Sequence, residues 1–391
     1  MRVYMDNGAT TKADERVVRE MLPFFTEKYG NASSIHSFGS EAKEALEKAR
    51  KQVAGLIGAD ASEIIFTAGG TESDNMAIRG IAHAHKGKGS HLITSNIEHP
   101  AVRETFKDLE KEGFKVTFLP VGKNGVLPTE KLREAITDDT ILVSVMHANN
   151  EVGTIQPIKE LAEIAHEKGA FFHTDAVQSV GKIPVNVKEL GVDLLALSSH
   201  KLHGPKGVGA LFVKNGVRIT PIVTGGGHEK GLRSSTENIP GIVGLGKACE
   251  LAEKEMKEDS ARMLALREKL VNGLLNIPEA YLNGDREKRL PHNANFRFLG
   301  IEGESLILML DDEGIAASTG SACSSKKLQA SPVLLALGLK EEEAHGSLRL
   351  TLSKFTTDKE IERVLEATPK IVEKLRAMSP VWRKMQAKAM G

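Results

Sequence analysis

Seven short runs of mostly apolar residues recur between residues 63 and 213, and they constrain the fold more than any other feature of the chain. They are Glu63–Thr67, His91–Thr94, Val116–Leu119, Thr140–Met146, Ala170–His173, Leu194–Ser198 and Gly209–Val213. Most are apolar at successive positions and carry β-branched or aromatic members, as strands buried on both faces do. Between several of them lie polar–apolar segments at helical spacing, such as Glu130–Ile136 and Ile158–Lys168. Such alternation predicts an α/β domain whose parallel sheet has helices on both sides.

The texture changes after about residue 258. Asp259–Leu275 has the spacing of a long charged helix, followed by a strand at Asn295–Phe298, a helix at Glu304–Asp311, a strand at Leu348–Leu352 and a closing helix at Thr357–Met378. The expected division is a large domain over 15–258 and a smaller α+β domain formed by 1–14 and 259–391. Lys plus Arg and Asp plus Glu both number 52, so a uniformly basic nucleic-acid binder is disfavoured and no direct nucleic-acid partner is expected. No run of 18 apolar residues offers a membrane span, and the opening residues lack a signal-type apolar segment. The two cysteines, Cys249 and Cys323, cannot form a disulfide framework. A reducing, cytoplasmic setting is expected, in which a free thiol is either core filler or chemistry.

Several segments carry groups suited to chemistry. Thr67-Ala68-Gly69-Gly70-Thr71-Glu72-Ser73 follows a strand and opens a helix expected over Ser73–His83. Its glycines and the helix N-terminus suit a phosphate, although a plain strand-to-helix turn uses the same residues. Asp175 follows an apolar run, where the strand ends of a parallel sheet line a ligand crevice. A carboxylate there serves a cation, a metal or a protonated ring nitrogen, or else caps the next helix. Lys201 stands in Ser198-Ser199-His200-Lys201, just before the Gly204-Pro205-Lys206-Gly207 turn. A desolvated lysine there forms Schiff bases, and a surface lysine is the alternative. His200 and His203 lack a third ligand, and no metal is expected. Asp175, Lys201 and the upstream glycine turn together form the inventory that pyridoxal phosphate requires: a carboxylate for the ring nitrogen, an amine for the aldehyde and a nest for the phosphate.

His99, in Ile97-Glu98-His99-Pro100, also follows a strand and suits ring stacking and proton transfer, or a solvent-facing turn. Arg349 alternates with leucines in Leu348–Leu352 and so faces away from them, either toward a substrate carboxylate or toward solvent. Cys323 lies among small polar residues in Ser318–Ser325 beside Lys326 and Lys327, a setting that favours the thiolate. Cys249, at helical spacing from Ile242 and Leu245, reads as core.

Taken together, these segments resemble the cysteine desulfurases of the NifS/IscS-like branch, which are pyridoxal-phosphate enzymes of the class V aminotransferase family. The resemblance runs from Asp6-Asn7-Gly8-Ala9-Thr10-Thr11 to Ser379-Pro380-Val381-Trp382. It is strongest at Gly70–Ser73, His147–Gly153, Asp175–Ser179, Ser199–Lys201, Gly204–Gly207 and Ser318–Ser324. It implies the aminotransferase-like fold (fold type I), with a mainly parallel seven-stranded sheet in the large domain. The small domain would carry the catalytic cysteine loop, at about 318–330. It further implies that Lys201 binds the coenzyme and shuttles a proton, that Asp175 pairs with the ring nitrogen and that Gln178 bonds the ring hydroxyl. His99 would stack on the ring. Gly70, Thr71, Ser198 and His200 would hold the phosphate, joined by Thr236 from the second subunit of a homodimer. Asn150 and Arg349 would grip the carboxylate of L-cysteine, and Cys323 would take its sulfur as a persulfide. The sulfur would pass to an acceptor, an iron–sulfur scaffold protein or a tRNA-thiolation enzyme. Other pyridoxal-phosphate lyases or aminotransferases, selenocysteine lyase among them, and a non-catalytic scaffold on the same fold are the alternatives.

Overall fold

The computed structural model describes residues 1–320 and 330–390. The seven apolar runs form one sheet. From edge to edge its strands are Ile64–Thr67, Gly209–Val213, Leu194–Ser198, Phe171–Asp175, Thr140–Ser144, His91–Ser95 and Lys115–Leu119. Alternate residues of each strand enter opposite cores, as a two-residue period requires. Ile64, Phe66, Val143, Phe172, Leu195 and Phe212 pack on one side. Ile65, Leu92, Leu142, Leu194 and Leu211 pack on the other.

Gly209–Val213 is the one strand that runs against the rest, antiparallel to both its neighbours. Its connection from Leu194–Ser198 is the segment 199–208, which holds the Lys201 turn and reverses through Gly207, whose φ is 77°. A parallel return needs a crossover of roughly a dozen residues or more, which this segment lacks. The other six strands point the same way. Their C-terminal ends place Asp175 and Ser198 at one rim of the sheet.

Two local readings shift. The helix expected from Ser73 begins three residues earlier and spans Gly70–His85, with Gly69 in a φ of 154° just before it. The helix expected over Asp259–Leu275 is the second half of one long helix, Ile239–Leu274, so no break in the chain accompanies the change in composition at 258. The early part of this helix, including Ile242, Leu245 and Cys249, belongs to the core of the large sheet. Its late part, including Leu266, Leu270 and Leu274, belongs to a second core. Helix periodicity continues through both halves, but the apolar stripe changes partner, which is why the sequence reads as a boundary.

The second core lies beneath a three-stranded antiparallel sheet ordered Ser347–Thr351, Asn293–Phe298, Ala280–Leu282. The helices Gly303–Asp312 and Asp358–Met378 cover it. Thr357 caps the latter helix, accepting from the Glu360 N–H while the Glu360 carboxylate accepts from the Thr357 N–H. The chain's first strand, Val3–Tyr4, pairs in parallel with Ile315–Ala316 and so begins in this smaller unit. The segment that follows crosses to the strand ends of the large sheet.

Candidate active site

Lys201 closes a 3-10 turn, Ser199–Lys201, immediately after Leu194–Ser198. Its Nζ donates to the carbonyls of Gly8 (2.7 Å) and Ala9 (2.6 Å). The same N-terminal segment is tied to this turn by the Thr11 N–H and Oγ1, both donating to the His200 carbonyl at 3.0 and 2.8 Å. Asp175 ends its strand and is buried. One carboxylate oxygen accepts from the Val177 N–H at 2.9 Å, so it does serve as a local turn cap as well. Burial raises its pKa, and the nearby His99 and Lys201 pull it down. An anion in this position is completed by a cation or a protonated ring nitrogen. Gln178 donates to the Gly8 carbonyl at 3.1 Å.

His99 caps the helix Pro100–Lys111, its Nδ1 accepting from the Ala101 N–H at 3.1 Å. That bond leaves the ring hydrogen on Nε2 while the ring is neutral. Burial lowers the His99 pKa, while Asp175 opposes that shift. At the start of Gly70–His85, a Cβ on Gly70 would stand 2.6 Å from Val177 Cγ2, so only glycine lets the chain approach Val177 and Ser198 this closely. His200 Nδ1 lies 3.1 Å from Thr10 Oγ1. Burial, with Lys201 and Lys206 nearby, depresses its pKa to about 4, and it is a neutral hydrogen-bonding group at pH 7. His203 turns elsewhere, its Nδ1 donating to the Lys12 carbonyl at 2.9 Å.

Arg349 approaches from the small sheet and is 3% exposed. Its Nη1 donates to the Asn150 carbonyl (2.9 Å) and the Gly320 carbonyl (3.4 Å), and its Nη2 pairs with Asp6 Oδ1 (2.9 Å). One cavity of about 530 Å³ gathers most of these residues: Gly70, Thr71, His99, Asn150, Asp175, Gln178, Ser198, His200, Lys201 and Arg349 all line it. Two expected residues are not among them. Thr236 is exposed and does not line this cavity of its own chain. Cys323 lies outside the described residues, although Gly320 before it and Pro332 and Val333 after it do line the cavity. Cys249 is fully buried, and burial pushes its thiol pKa up, the opposite of activation.

Three acids beside the cavity escaped the sequence reading. Glu98 is buried, accepting from Ser95 Oγ at 2.5 Å and from the Met146 N–H at 3.1 Å. Burial raises its pKa to about 8. Asp74 sits one helical turn beyond Gly70, buried, with Oδ1 3.6 Å from His173 Nε2. Its pKa is raised first by burial and then by the charges of Asp175 and Glu98. Glu151 is also buried and accepts from Ser331 Oγ at 2.5 Å. A helix begun at Gly70 would have revealed Asp74 at i+4 on the same face. Glu98 stood next to a histidine already singled out.

A mainly parallel sheet whose strand ends gather a lysine, a carboxylate and a glycine-opened helix around one cavity defines an aminotransferase-type architecture. The class-V aminotransferase profile matches residues 3–364, and the chain belongs to that family, whose members depend on pyridoxal phosphate. Within it, the chain falls among the cysteine desulfurases. It is 55% identical over 384 residues to cysteine desulfurase IscS of Clostridium botulinum, covering 97% of each chain. It is 55% identical over 379 residues to cysteine desulfurase IscS of Methanosarcina thermophila, covering 97% of this chain and 94% of that one. Among solved structures, a NifS-like protein superposes with a TM-score of 0.91 at 43% identity, covering 96% of this chain and all of that one. A cysteine desulfurase from Thermococcus onnurineus gives 0.85 at 28% identity, covering 96% and 95%.

Proposed function

We infer that the protein removes sulfur from L-cysteine, giving L-alanine and a persulfide on Cys323, with pyridoxal phosphate seated in the 530 Å³ cavity. The observation that carries this reading is the convergence of Lys201, Asp175 and the Gly70 turn on one cavity that Arg349 also lines. The residues fit the coenzyme. Gly70 leaves its helix terminus open at a point where a Cβ would collide with Val177. Gly70, Thr71, Ser198 and neutral His200 would supply phosphate donors, and the buried Asp175 carboxylate suits a protonated ring nitrogen. When bound, pyridoxal phosphate supplies an electron sink for the substrate α-carbon.

The protein's own groups then divide the work. Lys201 would hold the coenzyme through Nζ and, once the substrate amine is bound, would carry the α-proton on that same atom. Asp175 would keep a ring nitrogen protonated, Gln178 would bond a ring hydroxyl, and His99 would lie against the ring. Asn150 and Arg349 hold the substrate carboxylate. The Cys323 thiolate attacks the substrate sulfur: a sulfur–sulfur bond forms, the carbon–sulfur bond breaks, and the carbon skeleton leaves as alanine. The persulfide serves an acceptor protein, either an iron–sulfur scaffold or a tRNA-thiolation enzyme.

Two features support a homodimer. Thr236 is exposed. A second, open groove lined by Thr10, Gly70, Thr71, His200 and Lys206 leads to the phosphate end of the site, where Thr236 from a second copy would enter. Among the described residues no helix is long and apolar enough to cross a membrane. A reducing cytoplasm is the setting we propose, because it keeps a nucleophilic thiol free. The large unit at 15–258 would hold the coenzyme, and the small unit would bring Arg349 and Cys323 to it. Replacing Cys323 with serine tests the reading. The variant should still bind L-cysteine at the coenzyme, seen as a spectral change, and should form no persulfide. Undiminished alanine production by that variant would sink it.

A further inference from the structure

We propose that Asp6 is a positioning residue for substrate selection, holding the Arg349 guanidinium in the orientation that receives the carboxylate of the amino-acid substrate. The inference rests on the reading of Arg349 as the carboxylate-binding group. Arg349 is almost wholly buried, and its contacts come from three directions. Two are backbone carbonyls, those of Asn150 and Gly320, both on Nη1. The third is Asp6, whose Oδ1 lies 2.9 Å from Nη2 and which is the only side chain hydrogen-bonded to Arg349 among the described residues. Arg349 Nε has no hydrogen-bond partner among those residues. The carbonyls fix one end of the planar fork, and Asp6 fixes its rotation about that end.

The position of Asp6 separates support from competition. Arg349, Gly8 and Ala9 line the cavity, and Asp6 does not. Its carboxylate therefore reaches Nη2 without forming part of the cavity wall. The backbone around Asp6 is itself anchored. Asp6 bridges to Thr351, its carbonyl accepts from the Ala9 N–H at 3.0 Å, and the Gly8 N–H donates to Thr351 Oγ1 at 2.7 Å. A Cβ on Gly8 would lie 3.4 Å from Arg349 Cζ, so the segment packs directly against the guanidinium. Two residues past Asp6, the Gly8 carbonyl accepts from Lys201 Nζ and from Gln178. One short strap thus ties the carboxylate-binding arginine to the coenzyme-binding lysine. It sets the spacing between the two ends of an α-amino acid.

The test is the steady-state kinetics of the coenzyme-loaded D6N and R349Q variants with L-cysteine, alongside their visible absorbance. Asparagine keeps the shape of Asp6 but loses the charge that orients Arg349. D6N should raise KM for L-cysteine by about tenfold, leave kcat within about twofold and leave the coenzyme absorbance unchanged. R349Q should raise KM at least as much. An unchanged or lowered KM in D6N, with R349Q still impaired, would overturn the positioning role, a lowered value marking Asp6 as a competitor for Arg349. Loss of coenzyme absorbance in D6N would also overturn it, showing Asp6 to be structural for the whole site. An unchanged KM in R349Q would show that Arg349 does not bind the carboxylate, and this inference would fall with that reading.

Discussion

Replacing Glu98 with glutamine should remove a specific alkaline weakness of the fold. Glu98 is 3% exposed and accepts hydrogen bonds from Ser95 and Met146, with no cation paired to it among the described residues. Burial lifts its pKa from 4.5 to about 8. The folded state therefore retains a proton that the unfolded chain releases. The contribution of Glu98 is fully present below pH 4.5 and is lost as pH rises through about 8. At about 1.4 kcal/mol per pH unit, the change between about pH 5 and about pH 9 amounts to about 4 kcal/mol. Glutamine stays neutral, still accepts from the Met146 N–H and offers Ser95 Oγ a donor. Urea unfolding of both proteins at the two pH values measures the difference. The wild type should lose about 4 kcal/mol more than E98Q on going to the alkaline condition. A stability gap between the two proteins that does not change with pH would refute the argument.

Two further outcomes follow from the same geometry. Lys201→Ala should abolish the yellow coenzyme absorbance of the purified protein while leaving the far-ultraviolet circular dichroism unchanged; a colourless wild type that cannot be reconstituted with pyridoxal phosphate would favour the scaffold reading instead. Glu229→Gln should cost about 3–5 kcal/mol in urea unfolding, because Glu229 holds Arg50 through two 2.8 Å bonds deep in the protein and also accepts from the Phe66 N–H; a cost below about 1 kcal/mol would show that Arg50 finds another partner.

The sheet and its strand-end chemistry were legible because both are written locally. A run such as Leu194–Ser198 declares burial on two faces, and Lys201 follows it within a few residues. Asp175 and Lys201 become neighbours through sheet order alone, since their strands are adjacent. What escaped the sequence depended on contacts across long separations. Nothing near Asp6 announces Arg349, which lies 343 residues away. The single antiparallel strand was hidden because a strand buried on both faces looks the same in either direction; only the brevity of its connection sets it apart. The 36-residue helix Ile239–Leu274 read as two pieces because its apolar stripe serves two cores in succession. The acids Asp74 and Glu98 were passed over because a carboxylate in a polar stretch ordinarily reads as solvated surface, and only packing reveals its burial.

The proposed function turns on transfer of sulfur from free cysteine to the protein's own thiol. Incubating the coenzyme-loaded protein with L-cysteine, then quantifying alanine and mapping modified cysteines by mass spectrometry, tests it most directly. Alanine should form, with one extra sulfur on Cys323 and none on the buried Cys249. Alanine formed with Cys323 unmodified, or no alanine at all, would contradict it.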